Sequence, residues 1–362
     1  MKKRFNVLSG AAALAIAFAS GASAQNAYIT NELSNNVSVI NTATNTVTAT
    51  VPVGTAPYGV AVNPAGTFVY VVNLLDGTVS VINTATNTVT ATVPVGSNPY
   101  EVAINPAGTF AYVTNGNSGT VSVINTASNT VTATVPVGGL PYGIAVNPAG
   151  TFVYVVNDHT NNVSVISTAS NTVTATVNVG AGPLQVAFNP AGTFAYVTNG
   201  NLGTVSVINT ASNTVTATVN VAGGLTNLAG IAINPAGTFA YLTNASTTFY
   251  VLNLATNTVT ATVTVGAGTA GVAFNPAGTF AYVANGGSNN ISVINTATNT
   301  VTATVNVGNE PIAYGLFIGP AVITPTPSVP NSVPTLSPIA MLALAGLLLL
   351  LGWRYSRPRA AA

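Results

Sequence analysis

The chain has 362 residues, of which only 3% are charged, and this composition restricts the functions open to it. All six lysines and arginines lie at positions 2–4 and 354–359. Residues 25–322 therefore carry five acidic residues, no lysine or arginine, and a formal charge of −5. This argues against nucleic acid as a partner, because such a surface needs cations against the phosphates. One histidine and no cysteine exclude disulfides, the usual zinc clusters and a catalytic Cys–His pair.

Residues 1–24 have the pattern of a secretory signal peptide. Lys2, Lys3 and Arg4 form a basic start, an apolar run follows over residues 11–19, and small residues occupy positions 22–24 before Gln25. A short apolar run between a basic start and a small-residue cleavage site is typical of export signals. We therefore expect an exported protein whose mature part begins at residue 25.

One stretch of sequence then recurs along most of the chain. The hexamer Thr-Val-Thr-Ala-Thr-Val occurs seven times, and Asn-Pro-Ala-Gly-Thr-Phe occurs six times. The period is 42 residues with slips near Leu225 and Ser246, and the hexamers start at Thr46, Thr88, Thr130, Thr172, Thr214, Thr258 and Thr300. A period of about 40–45 residues that carries four strands is typical of a β-propeller blade.

Each copy contains four short runs rich in valine, isoleucine, threonine and tyrosine, separated by turn residues. We name the predicted strands A to D from the channel outward; in one copy they span 142–146, 152–156, 163–166 and 172–177. No segment of the repeats has the length, the 3.6-residue period and the caps of a helix. The repeats therefore predict an all-β, seven-bladed propeller of four-stranded blades over residues 25–322.

The first copy lacks its inner strand, because the repeats begin directly with the B-type strand at residues 27–31. A matching A-type strand stands at the far end of the repeats, over residues 313–320. We expect this strand to pair with the first three strands and close the ring, which removes the open sheet edges of a linear array.

Two copies of the repeat carry the tetrapeptide Tyr-Val-Thr-Asn, at 112–115 and 196–199, followed by Thr-Val-Ser-Val-Ile-Asn-Thr. This pattern resembles the YVTN-type repeat of YncE-like and surface-layer-like β-propellers, and the resemblance covers roughly residues 27–320. It implies the propeller fold and leaves the function open, since propellers host many unrelated activities.

After the repeats the composition changes twice. Residues 323–338 form a proline-rich segment that we expect to be an extended stalk. Residues 339–353 are an apolar run that predicts a hydrophobic membrane or sorting helix, and residues 354–362 form a basic tail. A helix buried in the propeller is the alternative.

The order of these segments resembles the IPTL-CTERM class of bacterial sorting signals, although Pro338 and Ile339 stand where that family shows Glu-Trp. The resemblance implies a periplasmic or surface location, with tethering to or sorting at the inner membrane of a Gram-negative-type cell.

Differences between the copies concentrate in the D–A and B–C connections, which share one face of a propeller. All acidic residues and the only histidine are predicted to lie on this face: Glu32, Asp76, Glu101, Asp158, Glu310 and His159. A variable face over a uniform framework indicates a binding surface. Isolated charges that only keep the surface soluble are the alternative.

Four tyrosines are expected to open inner strands and to form a half-ring at the channel mouth, beside Glu101 and Glu310. They are Tyr58, Tyr100, Tyr142 and Tyr314, and the other blades place Leu184, Leu228 and Ala270 there. Tyrosine offers an apolar face and a polar tip, which suits sugars or peptides. Packing of the same rings between neighbouring blades is the alternative.

The sequence thus favours a non-enzymatic binding module for a glycan or protein of the cell envelope, with no cofactor, metal or catalytic residue predicted. A lactonase-like or other hydrolase that uses the central channel is one alternative. A structural protein of a surface layer is another.

Overall fold

The structure, a computed structural model, describes residues 25–221 and 227–320 of the chain. These residues form 27 β-strands in seven antiparallel sheets, six with four strands and one with three. The predicted signal peptide (1–24), stalk (323–338), apolar segment (339–353) and basic tail (354–362) lie outside the described residues. Within 25–221 and 227–320, no helix has the length and apolar character needed to cross a membrane.

The strands follow one another in chain order within each sheet. Blade 1 contains β1 (Asn26–Asn31), β2 (Asn36–Asn41) and β3 (Thr46–Pro52). Blade 2 contains β4 (Pro57–Val62), β5 (Phe68–Asn73), β6 (Thr78–Asn83) and β7 (Thr88–Pro94). Blade 3 contains β8 (Pro99–Ile104), β9 (Phe110–Asn115), β10 (Thr120–Asn125) and β11 (Thr130–Pro136). Blade 4 contains β12 (Pro141–Val146), β13 (Phe152–Asn157), β14 (Asn162–Ser167) and β15 (Thr172–Asn178).

The remaining three blades repeat this arrangement. Blade 5 contains β16 (Pro183–Phe188), β17 (Phe194–Asn199), β18 (Thr204–Asn209) and β19 (Thr214–Asn220). Blade 6 contains β20 (Ile231–Ile233), β21 (Phe239–Thr243), β22 (Thr248–Asn253) and β23 (Thr258–Thr264). Blade 7 contains β24 (Thr269–Phe274), β25 (Phe280–Asn285), β26 (Asn290–Asn295) and β27 (Thr300–Asn306). Single 3-10 turns span Glu32–Ser34 and Gly286–Ser288.

The predicted all-β, seven-bladed fold is confirmed, and its core lies between the blades. The B and C strands are buried on both faces because each blade packs against two neighbours, whereas the outer D strands alternate between exposed and partly buried residues. The tyrosines of the B strands are at most 4% exposed and form the predicted framework: Tyr28, Tyr70, Tyr112, Tyr154, Tyr196, Tyr241 and Tyr282.

The A–B turns are nearly identical in all copies because each residue in them has a structural role. Asn63 Oδ1 accepts hydrogen bonds from the N–H groups of Thr67 (2.8 Å) and Phe68 (3.0 Å). Gly66 adopts a left-handed φ of 70°, which glycine reaches without steric cost. The turn therefore leaves little room for variation, and the variable residues lie on the opposite face.

The predicted closure of the ring is confirmed by hydrogen bonds between β1 and the segment 311–320. The N–H of Tyr28 donates to the carbonyl of Phe317 at 2.9 Å, and the N–H of Ile312 donates to the carbonyl of Thr30 at 3.0 Å. Phe317 is fully buried in the same cluster as residues of β1. Segment 311–320 thus supplies the inner strand that blade 1 lacks.

Candidate functional site in the central channel

The inner strands carry an irregularity that shapes the channel. In β8 the pairing register with β9 shifts between Pro99 and Val102, and β4, β12, β16 and β24 have the same β-bulge at the matching position. Bulges redirect side chains and are common beside binding sites. The residues inside the bulges include Tyr100 and Glu101 in blade 3 and Gln185 in blade 5, so they bring the candidate site residues to the channel.

The four predicted tyrosines do come together, and they form a packed cluster that we call the tyrosine plug (Tyr58, Tyr100, Tyr142 and Tyr314). The rings of Tyr100 and Tyr142 stack with centroids 4.4 Å apart, and Tyr58 contacts Tyr100 at 5.6 Å and Tyr314 at 5.5 Å. The hydroxyls of Tyr58 and Tyr142 are hydrogen-bonded to each other. Burial raises the pKa of Tyr58, Tyr142 and Tyr314, so these hydroxyls stay protonated.

The prediction that Leu228 occupies the tyrosine position in blade 6 is wrong. A threonine of each B strand identifies this position: Thr114 Oγ1 donates to the carbonyl of Tyr142 at 2.7 Å. In the same way, Thr198 Oγ1 donates to the carbonyl of Ala229 at 3.0 Å. The repeat is longer before blade 6, so the register there moves by one residue.

The prediction that Tyr314 is equivalent to the other three tyrosines is also wrong. The N–H of Ala313 donates to Thr30 Oγ1 at 2.9 Å, a bond made in blade 3 by the residue after the tyrosine. Ile312 therefore occupies the tyrosine position. Tyr314 and Gly315 form an insertion, in which Gly315 has a φ of 101°, and Tyr314 lies inside the channel with only 8% of its surface exposed.

Below the plug the channel forms a cavity of about 560 Å³. Its walls are mainly aliphatic and aromatic side chains of the inner strands. It extends to the A–B turns, where it is lined by Pro64, Pro106, Pro148, Pro235 and Pro276, and to Pro320 at the end of segment 311–320. The plug thus lies towards the D–A and B–C face and the cavity extends to the opposite face.

Glu101 lines this cavity, so the prediction that it lies on the rim with the other acidic residues is wrong. It is only 4% exposed, and the N–H of Ile144 donates to its Oε2 at 3.3 Å. Burial raises the pKa of Glu101 to about 8, although the amide of Gln185 and the Ile144 N–H lower it in part. The position in the bulge, inside the ring, explains this burial.

Gln185 was missed by the sequence analysis. It is also 4% exposed, it lines the same cavity, and its Nε2 has no hydrogen-bond partner among the described residues. Aligning the copies could have identified Gln185, because it stands at a position that is glycine in four other blades: Gly59, Gly143, Gly230 and Gly271.

The glycines explain why only two blades carry a long side chain at this level. A methyl group on Gly59 would lie 2.6 Å from the Cα of Glu101, and one on Gly143 would lie 2.8 Å from the Cα of Gln185. Neighbouring inner strands are therefore too close for side chains in consecutive blades. Glu101 and Gln185 flank the glycine of blade 4, which places their polar groups beside each other.

Three of the predicted acidic residues lie around the outer side of the plug. The N–H of Glu32 donates to the carbonyl of Glu310 at 3.0 Å, and burial together with the Glu310 charge raises the pKa of Glu32. Burial, and to a lesser extent the charges of Asp158 and Glu32, raise the pKa of Tyr100. His159 is 69% exposed, and its Nε2 lies 3.8 Å from Asp158 Oδ2.

Asp76 has a structural role in its loop. Its Oδ2 accepts a hydrogen bond from the N–H of Thr55 at 2.7 Å. In blade 3 the matching residue, Ser118, accepts the equivalent bond from the N–H of Ser97 at 2.8 Å. Asp76 therefore repeats a framework contact that does not require a charge.

Comparison with known proteins places this fold in a family. The family described as "Lactonase, 7-bladed beta-propeller" matches residues 2–134, 41–178 and 167–312. Among curated proteins, none matches the sequence of this chain.

Solved structures of the same architecture differ widely in what they are named. A protein of unknown function from Desulfotomaculum acetoxidans is 19% identical, with a TM-score of 0.69 over 80% of this chain and 99% of its own. A candidate 6-phosphogluconolactonase from Bacteroides uniformis is 20% identical, with a TM-score of 0.67 over 80% and 98%. Kuenenia stuttgartiensis hydrazine synthase is 20% identical, with a TM-score of 0.65 over 70% and 87%. At these identities the likeness concerns the fold alone, whereas the family match spans nearly all seven blades: the chain belongs to the lactonase family of seven-bladed β-propellers.

Proposed function

We propose that this protein is a binding module of the cell envelope that holds a small, largely apolar molecule in the channel cavity. The observation that carries the proposal is the pair formed by Glu101 and Gln185 at the plugged end of this cavity. Buried polar groups without partners cost free energy, so a ligand that satisfies them would be bound selectively. A cavity of about 560 Å³ with apolar walls and few polar groups has the usual character of a small-molecule site.

The charge of the domain argues against a phosphorylated ligand. A 6-phosphogluconolactonase must bind a phosphate group, and phosphate sites are built from arginine, lysine or helix N-termini. Residues 25–320 contain no lysine or arginine, so the cavity has no cationic side chain to hold an anion. We therefore do not extend to this chain the activity after which the Bacteroides protein is named.

The envelope location rests on the two ends of the sequence. The basic and apolar pattern of residues 1–24 supports export, and the apolar run 339–353 with its basic tail supports tethering or sorting at the inner membrane. Fractionation of cells that express the full chain would test this location. Recovery of the protein in the cytosolic fraction with residues 1–24 intact would overturn it.

A second candidate function is the hydrolysis of an uncharged lactone, which membership of the lactonase family favours. Glu101 would take a proton from water as the water oxygen attacks the lactone carbonyl. The ring C–O bond would then break as Glu101 returns this proton to the leaving ring oxygen, and a hydroxy acid would leave. A base whose pKa is near 8 suits this step at neutral pH. The Gln185 amide would donate a hydrogen bond to the developing oxyanion. Hydrolysis of a panel of uncharged lactones, compared between the native protein and Glu101→Gln, tests this candidate.

The face formed by the D–A and B–C connections, which we call the loop face, is a further proposed site, for a glycan or protein of the envelope. It is supported by the position of Glu32, Asp158 and Glu310 around the half-exposed Tyr100. Screening of the protein against glycan arrays, with Tyr100→Ala as the comparison, tests it. Glycan binding that is equal in both proteins would contradict a role for this face.

Binding of the uncharged dye Nile red tests the channel proposal. We expect saturable binding at one site per chain, with an affinity that Glu101→Leu changes and that Glu32→Gln on the loop face leaves unchanged. The absence of saturable binding would overturn the proposal, as would equal effects of the two substitutions.

A further inference from the structure

The hydrogen-bonding groups left open in the cavity define a ligand more narrowly than its volume does. We infer that the channel takes an uncharged, apolar alcohol whose hydroxyl oxygen binds between Glu101 and Gln185. The inference rests on the proposed function, because it names the class of ligand for the same cavity.

The cavity offers few free polar side chains. Asn63 and Asn275 also line it, but their side chains are engaged in the A–B turns, where Asn63 bonds Thr67 and Asn275 bonds Thr279. The polar side chains that remain available to a ligand are those of Tyr314, Glu101 and Gln185. A ligand must therefore place its polar atom at the plugged end and its hydrocarbon body towards the A–B turns.

The open groups at the plugged end are one donor and one acceptor. Gln185 Nε2 has no partner of normal hydrogen-bond geometry among the described residues, and the carboxyl group of Glu101 accepts one such bond from them, through Oε2. The two groups flank blade 4, since the N–H of Ile144 reaches Glu101 Oε2 and a methyl group on the adjacent Gly143 would lie 3.0 Å from Gln185 Oε1. The Gln185 amide also approaches Glu101 closely enough to lower the pKa of that carboxyl group as a hydrogen-bond donor, so a ligand hydroxyl would insert between the two groups. The hydroxyl oxygen can accept from the amide while its hydrogen is donated to a carboxyl oxygen of Glu101, so one atom satisfies both.

The cavity also favours an uncharged ligand. The titratable neighbours of Glu101 are the tyrosines of the plug, Tyr58 and Tyr314, and burial keeps both of them neutral. Because its pKa is raised to about 8, Glu101 is protonated at pH 6, and an ammonium ligand would leave water for a low-dielectric cavity with no charge to attract it. A carboxylate ligand would meet Glu101 with no cation nearby. An uncharged hydroxyl avoids both costs.

A matched series of probes on one hydrocarbon skeleton tests this inference: menthol, menthylamine and p-menthane, each measured by displacement of Nile red from the full chain at pH 6. We expect menthol to bind about tenfold more tightly than p-menthane, which corresponds to two hydrogen bonds of ordinary net strength. Menthylamine, which is cationic at this pH, is expected to bind more weakly than menthol. Tighter binding of the amine, or equal binding of menthol and p-menthane, would overturn the inference.

Two substitutions at Glu101 separate hydrogen bonding from side-chain shape. Glu101→Gln keeps a donor and an acceptor, as the protonated carboxyl group has at pH 6, so the protein is expected to keep its preference for menthol over p-menthane. Glu101→Leu and Gln185→Leu remove the hydrogen-bonding groups and are expected to abolish this preference. Loss of the preference in Glu101→Gln would contradict the inference. Glu32→Gln is the control outside the cavity, and thermal melting confirms that each variant folds.

Failure of the inference and failure of the proposed function give different results. If Nile red shows no saturable binding, the cavity is not a ligand site and the proposed function is wrong. If Nile red binds at one site but menthol is not preferred, the cavity binds ligands and only the alcohol assignment is wrong.

Discussion

At the scale of single residues, Glu101 couples the stability of the propeller to pH. Burial raises its pKa in the folded state from 4.5 to about 8. Between these two pH values the unfolded chain has lost the Glu101 proton while the folded chain still holds it. The free energy of unfolding therefore falls as the pH rises through this window, by on the order of several kcal/mol in total.

Chemical denaturation of the native protein and of Glu101→Gln from pH 4 to pH 9 measures this effect. The variant is expected to be the more stable protein at pH 9, with a difference that shrinks as the pH falls towards 4.5. Asn117→Ala, which changes an exposed residue and no titratable group, is the control and should keep the native pH profile. A constant difference between the native protein and Glu101→Gln at all pH values would show that Glu101 is not buried as described.

The two residues of the channel pair also show how far the sequence could lead. Glu101 was found as a candidate because it is one of five acidic residues, but it was placed on the rim because a β-bulge in the inner strand has no clear sequence signature. Gln185 is uncharged and was missed, although the glycines at the matching positions in other blades mark the close approach of neighbouring strands. The acidic residues indicated that a binding site exists, but only the pairing register of the inner strands shows that Glu101 and Gln185 lie inside the channel.

At the scale of the strands, a buried asparagine at the end of most B strands holds each B–C loop in place. Asn115 donates through Nδ2 to Thr120 Oγ1 (3.1 Å) and Ser122 Oγ (2.9 Å), and its Oδ1 accepts from the N–H of Gly96 (3.0 Å). Asn115→Ala leaves these buried groups without a partner and is expected to lower the free energy of unfolding by about 1–3 kcal/mol. Thermal or urea unfolding measures the loss. The control Asn117→Ala, at an exposed position nearby, should change the free energy of unfolding by much less. Equal effects of the two substitutions would contradict the role of Asn115.

The inner strands provide a second prediction at this scale, because their spacing requires glycine. A methyl group on Gly143 would lie 2.4 Å from the carbonyl oxygen of Leu184, so Gly143→Ala forces the strands of blades 4 and 5 apart. We expect a loss of about 1–3 kcal/mol or more, as for other overpacked interiors. Gly139→Ala is the control, since its methyl group would make ordinary contacts at 3.4 Å. Similar unfolding curves for the two variants would show that the spacing adjusts easily.

At the scale of the whole molecule, the ring depends on its last described segment. Residues 311–320 complete blade 1, and they also bridge to blade 2, where the N–H of Val60 donates to the carbonyl of Tyr314 at 2.8 Å. A chain that ends at residue 310 is expected to melt roughly 10 °C or more below a chain that ends at residue 320. The shorter chain exposes the apolar cluster that Phe317 covers and leaves two strand edges unpaired. Equal melting temperatures would contradict closure by this segment.

Closure is also the part of the fold that the sequence predicted best. Counting seven hexamers against six A–B turns was enough to assign the final strand to blade 1, because each blade must have an inner strand. The insertion of Tyr314 and Gly315 could not be found in this way, since an aromatic residue near a strand start looks like its counterparts in other blades. The function is less accessible still, because solved structures with this fold carry different names.

The most direct test of the channel site is a crystal structure of the full chain with menthol. We predict that the ligand lies below the tyrosine plug, with its oxygen within hydrogen-bond distance of both the Glu101 carboxylate and the Gln185 side-chain amide. A structure in which menthol binds only to the loop face, or lies in the channel with its oxygen away from this pair, would contradict the account.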